Sequence, residues 1–216
     1  MLEEIRALLW KEIKLEWRQK YAFNGIVLYL LTTLFVVYMA AFDVSPKMWV
    51  ALLWIILLFA SVNAVAKSFL GESRWRMLYY YMLARPESMI LAKMIYNSLL
   101  MLLLSLSGLF FYTIILGNPL QHTGWFLVMV MMGSISFSLC FTMMSAIASK
   151  ASNGATLMTI LSFPVIIPVL LTLLKTSIAC LEVSFEFPGK ELLMLSGLDL
   201  ILLILALILF PYLWRD

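Results

Sequence analysis

The chain has 216 residues, 64% of them hydrophobic and 12% charged, with a mean hydropathy of +1.01 and a net charge of +3. A soluble domain is about half apolar and about a quarter charged, so this composition excludes a water-soluble globule and makes lipid the solvent for most of the surface. The small net charge gives no basis for a nucleic-acid partner, and two cysteines, Cys140 and Cys180, cannot form a disulfide framework.

The first element in chain order is a helix over residues 1–23. Leu2, Ile5, Leu9, Ile13 and Trp17 recur at spacings of three and four, with Glu12 and Glu16 at the edge of that face. This pattern predicts an amphipathic helix lying in the membrane interface, with Trp10, Trp17 and Tyr21 at headgroup level. Its acidic start is unlike the basic start of a cleaved signal peptide, so the segment is expected to be retained.

Crossing the hydrocarbon takes roughly 20 mostly apolar residues. Six segments qualify: Asn24–Phe42, Met48–Ala66, Met94–Leu116, Trp125–Ala148, Ala155–Lys175 and Gly197–Trp214. Between them lie turn-forming runs, Asp43-Val-Ser-Pro46, Gly117-Asn-Pro119, Ser152-Asn-Gly154 and Phe187-Pro-Gly189. The expected fold is therefore an all-α integral membrane domain of six spans covering residues 1–216 as one unit. With the N-terminus inside, twelve of the fifteen Lys and Arg residues fall on the inner side, and only Lys47, Lys175 and Lys190 outside. That bias puts both termini in the cytoplasm.

Two connections are longer than turns. Residues 67–93 form an inner segment in which 72–84, free of Gly and Pro, can make a short helix before Pro86 interrupts it. Residues 176–196 form an outer segment in which Leu181, Val183, Phe185 and Phe187 alternate with polar residues, too apolar for a solvated loop. A re-entrant-like segment, folded back on the outer end of the spans, is expected there.

Searching for chemistry returns little. There is no G-x-x-x-x-G-K-[ST] phosphate loop, and the one Gly-Lys pair, Gly189-Lys190, is followed by Glu191 on the outer side. The single histidine, His122, precedes the fourth span and reads either as a haem ligand or as a solvated loop residue. The methionines sit mostly inside spans as apolar filler, as does Cys140. Lys67, Lys93, Lys175 and Asp199 all read as span-end residues, leaving no mid-depth carboxylate of the kind an ion-driven transporter needs. No metal site and no catalytic residue are expected.

Two patterns inside spans remain. Ser134, Ser138, Thr142, Ser145 and Ser149 form one stripe on the fourth span, suited to close helix packing, to a subunit interface or to a translocation wall. Pro164 and Pro168, one turn apart on the fifth span, predict a bend, which also suits a gate.

Three stretches resemble a known family: Lys11-Glu-Ile-Lys-Leu-Glu-Trp-Arg18, Leu83-Ala-Arg-Pro86 with Leu91-Ala-Lys93, and Phe163-Pro-Val-Ile-Ile-Pro-Val-Leu170. Together with the layout they resemble ABC-2-type permeases (type V exporter-like). Over the whole length the chain is similar to CcmB, the haem exporter permease family of cytochrome c maturation. The stretch Glu72–Leu83 departs from that family by carrying aromatics where acidic residues are usual. The resemblance implies a non-enzymatic permease subunit in a bacterial inner membrane. Its implied partners are a second copy, two cytoplasmic ABC ATPase subunits, other cytochrome c maturation membrane subunits and an outer haem chaperone. Haem would be cargo and not a tightly bound cofactor. The resemblance also points to Glu72, Arg74, Arg76, Leu78, Tyr80 and Pro86 as the contact with the ATPase. An ABC-2 permease for a lipid, polysaccharide or drug, or a non-transporting scaffold, would share the hydropathy.

Overall fold

The computed structural model describes residues 2–19, 21–40, 44–65, 67–70, 85–151, 153–184 and 187–215, and every described element is helical. In chain order these are α1 (Leu2–Gln19), α2 (Tyr21–Ala40), α3 (Pro46–Val65), α4 (Lys67–Leu70), α5 (Pro86–Leu116), α6 (Thr123–Ala148), α7 (Gly154–Ala179) and α8 (Gly189–Arg215). Five of them, α3 and α5 to α8, are long and apolar enough to cross a membrane, while the apolar part of α2, Asn24–Ala40, is shorter.

Helix ends follow local chemistry. α5 opens with Pro86 in its first turn, preceded by Arg85 in an extended conformation, φ −71° and ψ 142°. It stops at Gly117, whose φ of +77° is a conformation that side chains disfavour. α8 opens beside Pro188, whose carbonyl accepts the Leu192 N–H at 3.0 Å. Pro164 and Pro168 lie inside α7 without ending it. Each lacks the N–H that would reach the carbonyl four residues back. The Thr172 hydroxyl donates to the Pro168 carbonyl at 2.8 Å and that of Thr176 to the Thr172 carbonyl at 2.8 Å, back-bonding that also favours bending.

Two helices begin eight residues earlier than the hydropathy pattern suggests, α5 at Pro86 instead of Met94 and α8 at Gly189 instead of Gly197. In both a proline reads as a breaker in the sequence but serves as a helix start. Charged residues in the added turns (Glu87 and Lys93, Lys190 and Glu191) dilute the apolar signal. Consequently residues 86–93 belong to a long helix. Asp199 stands ten residues into α8, about 15 Å from its start, instead of two residues into the expected span. α7 likewise runs on to Ala179.

The axis of the bundle is α6, which packs on α3, α4, α5, α7 and α8. Within its most apolar stretch 72% of the residues are buried, against 17% for α8, which lies on the lipid-facing periphery. The central helix is also the one rich in small polar residues, as expected where the solvent is lipid and interhelical contact depends on close approach. Gly133 shows how close: a Cβ there would fall 2.6 Å from the Trp54 ring and 2.9 Å from a Leu173 methyl. Trp54 is pinned by its indole N–H, which donates to Ser177 Oγ at 2.9 Å, and by an edge contact with Phe137 at 5.9 Å between ring centres.

Away from α1, the bundle closes with an aromatic and backbone cap. Trp49 meets Tyr112 edge-on at 4.7 Å and donates its indole N–H to the Gly117 carbonyl at 3.1 Å, and the Tyr112 hydroxyl donates back to the Trp49 carbonyl at 2.8 Å. The N–H groups of Gln121 and His122 both donate to the Cys180 carbonyl at 3.2 Å, joining the α5–α6 turn to the end of α7. Between α7 and α8, Cys180 and Pro188 are buried and Val183 is 86% exposed, while the Phe187 ring packs on Trp125 at 5.1 Å. Residues 185 and 186 lie outside the described residues.

Candidate functional site

At the α1 end of the bundle, polar side chains from several helices converge. The reason begins in α1. Its face toward α5 is built by Glu4, Ile5, Leu8, Glu12 and Glu16, at helical spacing, while Leu2 and Trp10 are exposed on the other side. The glutamates that seem to intrude on an apolar face are thus the docking face itself. α5 answers each in register. Ser88 donates its hydroxyl to Glu4 Oε2 at 2.8 Å, Lys93 Nζ lies 3.5 Å from Glu12 Oε1, and Tyr96 lies beside Glu16.

Lys93 is the centre of this ladder. Its side chain is 3% exposed, yet its charge is well accompanied. Nζ also donates to the Ser68 carbonyl of α4 and sits 4.7 Å from the centre of the Phe69 ring. A lysine ammonium has three protons to place, and a carboxylate and a carbonyl take two of them here. One turn on, Asn97 donates to Ser68 Oγ at 3.0 Å and to Thr142 Oγ1 at 2.9 Å, adding α6 to the node. The Phe69 ring meets that of Phe210 on α8 at a tilt, with 5.4 Å between ring centres. Five elements therefore meet within two turns of α5.

The electrostatics follow from these contacts. Burial pushes Glu12 up, but the Lys93 and Lys11 ammonium groups outweigh it and hold its carboxyl below the usual range. Lys11 Nζ lies 2.9 Å from Glu12 Oε1. Glu4 is lowered chiefly by the hydroxyl of Ser88, against a weaker upward push from burial.

The sequence-expected residues fall as follows. Glu72, Arg74, Arg76, Leu78 and Tyr80 lie outside the described residues, and Pro86 occupies the first turn of α5. Ser134, Ser138, Thr142 and Ser145 are all buried within the chain. Thr142 receives Asn97, Ser138 receives the Ser98 hydroxyl at 3.2 Å, and Ser134 turns back onto the Val130 carbonyl at 2.6 Å. The upper part of the stripe is thus spent on α5. Ser149, partly buried, donates to the Ala146 carbonyl at 2.7 Å. Pro164 is exposed and Pro168 partly buried, on α7 beside exposed Ile160, Phe163 and Leu171. His122 stands at the start of α6 in the far cap, where its carbonyl accepts the Phe126 N–H at 3.1 Å. Both cysteines are free and buried, Cys140 within α6 and Cys180 just past the end of α7.

Several residues escape sequence reasoning. Glu12 and Lys93 form an intramolecular pair that no spacing rule connects, because they are brought together by α1 folding back on α5. The spacing of Glu4, Leu8, Glu12 and Glu16 by fours was the available signal. Asp199 is the other. It lies beside Ser136 on α6, whose hydroxyl donates to the Met132 carbonyl at 3.1 Å, and its own Oδ1 is buried with no hydrogen-bond partner among the described residues. A carboxylate therefore stands ten residues inside α8, on its contact with α6. Among the described residues no group of three or more His, Cys, Asp or Glu is placed to hold a metal ion.

Long apolar helices around a close-packed central helix, with polar residues serving as joints between helices, define a multi-pass membrane protein. The family model described as CcmB protein matches residues 3–212, nearly the whole length, and the chain belongs to the CcmB family. It is accordingly a membrane component of the ABC-type system for haem export in cytochrome c biogenesis. No curated protein matches the chain.

Proposed function

We propose that the chain is the permease subunit of an ATP-driven complex that moves haem, or releases a haem chaperone, on the outer face of a bacterial inner membrane. In this reading it spans the membrane six times in an ABC-2-type arrangement, with α2 as the first span and both termini in the cytoplasm. It pairs with a second copy and with two ATPase subunits that hydrolyse the ATP, alongside other cytochrome c maturation membrane subunits and an outer chaperone. The family match over residues 3–212 carries the reading. The excess of Lys and Arg at the α1 end supports the orientation. An ATPase would meet residues 67–93, where Leu78 and Tyr80 offer buried-anchor chemistry, and haem would be transient cargo. The Pro164–Pro168 stretch would act as the gate.

Co-purification from mild detergent tests this. A soluble ATPase and haem maturation subunits should accompany the chain, and Tyr80→Ala should weaken the ATPase association at least tenfold, since aromatic anchors are often worth about 2 kcal/mol or more. An ATPase partner with a co-purified lipid, polysaccharide or drug substrate would redirect the assignment. Partners without ATPase activity would make the chain a scaffold. His122→Ala should leave assembly and ATP turnover near wild type and lower haem delivery only modestly. Stoichiometric haem on the isolated subunit, lost in His122→Ala, would refute the transient-cargo reading.

A further inference from the structure

Lys93 is a partner to more elements than any other member of the α1–α5 ladder. It holds Glu12 of α1, the Ser68 carbonyl of α4 and the Phe69 ring, and it stands on α5 seven residues after Pro86. α4 and the start of α5 are the two ends from which residues 71–84 depart. One buried ammonium therefore joins both roots of that segment and, through Glu12, the interfacial helix. We infer that Lys93 is a positioning residue that makes α1 and α4 respond to a soluble partner as one unit. This rests on the reading above that residues 67–93 face the ATPase.

The contacts distribute the consequences unevenly, which makes the inference specific. The N-terminal half of α1 has its own hold on the bundle through buried Ile5, through Leu8 and through the Ser88–Glu4 hydrogen bond. Its C-terminal half depends on Glu12 and Glu16. α4, four residues long, is fixed at Ser68 by Lys93 and Asn97. A methionine at 93 would fill the volume but could bridge neither a carboxylate nor a carbonyl. An arginine would keep the charge and donors with a different fork geometry.

Hydrogen exchange of the full-length protein in lipid nanodiscs reads this directly. Lys93→Met should raise exchange at residues 9–16 and 67–70 together, at least fivefold in each, while residues 2–8 change less than twofold. Glu12→Gln should move 67–70 as well as α1, because its effect passes through Lys93. A rise confined to α1, or none at 67–70, would overturn the inference. If Lys93→Met does not fold, Glu12→Gln and Lys93→Arg decide the same question. In the complex purified with its ATPase, Lys93→Met should retain the partner but cut permease-dependent ATP hydrolysis at least threefold, and Lys93→Arg should keep at least half. If wild type recruits no ATPase, the proposed function fails while the exchange experiment still decides the inference. If wild type couples and Lys93→Met hydrolyses ATP at the wild-type rate, the inference fails and the function stands.

Discussion

Gly133→Ala is a small change placed at the tightest helix contact described above. The added methyl group would sit 2.6 Å from two atoms of the Trp54 ring and 2.9 Å from Leu173 Cδ1, well inside ordinary contact distance. Trp54 has little room to yield, being 1% exposed, tied to Ser177 and set edge-on against Phe137. Overpacking of this kind costs about 1–3 kcal/mol, and a rigid, doubly anchored ring belongs at the upper end. Alanine recovers about 1 kcal/mol as the better helix former. The net is a loss of roughly 1–2 kcal/mol, or about 2–8 °C in thermal midpoint for a chain of this size. Scanning fluorimetry of the purified protein in detergent measures it. Because the closest clash is with the Trp54 ring, Trp54→Leu should be destabilising alone yet lessen the cost of Gly133→Ala in the double mutant, leaving only the Leu173 contact to be relieved. A midpoint within 1 °C of wild type for Gly133→Ala, or simple additivity with Trp54→Leu, would refute the packing argument.

Three further outcomes follow from other contacts. Glu12 and Glu4 are held below their ordinary values when α1 is docked, so their contribution is fully present above the undocked carboxylate pKa of about 4.3 and is lost as pH falls through the lower docked values. Exchange at residues 9–16 should be flat from pH 8 to 5 after correction for intrinsic rates and rise only below about pH 4.3; a transition near neutrality would contradict this. Asp199→Leu should raise the thermal midpoint, because it removes a partly buried carboxylate whose unpartnered Oδ1 costs about 1–3 kcal/mol while Ser136 keeps the Met132 carbonyl as acceptor; a lowered midpoint would show that the carboxylate has a stabilising partner. Asn97→Ala should cost about 1–2 kcal/mol in detergent-titration unfolding, since it strands Ser68 and Thr142 at once, and a loss near the ~0.6 kcal/mol average for single membrane hydrogen bonds would mean that only one of its bonds matters.

Hydropathy located the five helices among the described residues that are long and apolar enough to cross a membrane, because runs of apolar residues near 20 are a direct consequence of bilayer thickness. It misplaced the starts of α5 and α8 for a physical reason. The averaging that detects a span penalises the Glu87, Lys93, Glu191 and Asp199 side chains, although a helix continues through charge wherever a neighbour satisfies it. α1 shows a related failure. Read alone, Glu12 and Glu16 spoil an amphipathic face; folded against α5 they are the face. The stripe on α6 was legible as a close-packing surface from its spacing, but which helix it meets depends on topology: Ser98 and Asn97 on α5 could not be chosen over any other neighbour from the sequence. The Lys93 node was the least legible, since its partners include a backbone carbonyl and an aromatic ring on α4 and a carboxylate on α1.

The placement of Asp199 has a consequence for how the protein is made. The chain enters the membrane in order, N-terminal helices first. α8, the last of them, carries a carboxylate near its middle, which alone would oppose insertion by about 3 kcal/mol. Ser136, the hydroxyl beside it, lies two helices earlier on the axial α6, already in the bilayer when α8 emerges. The final helix thus arrives with a polar group whose berth has been prepared by the part of the chain synthesised before it, and correct docking of the periphery depends on the axis having folded first.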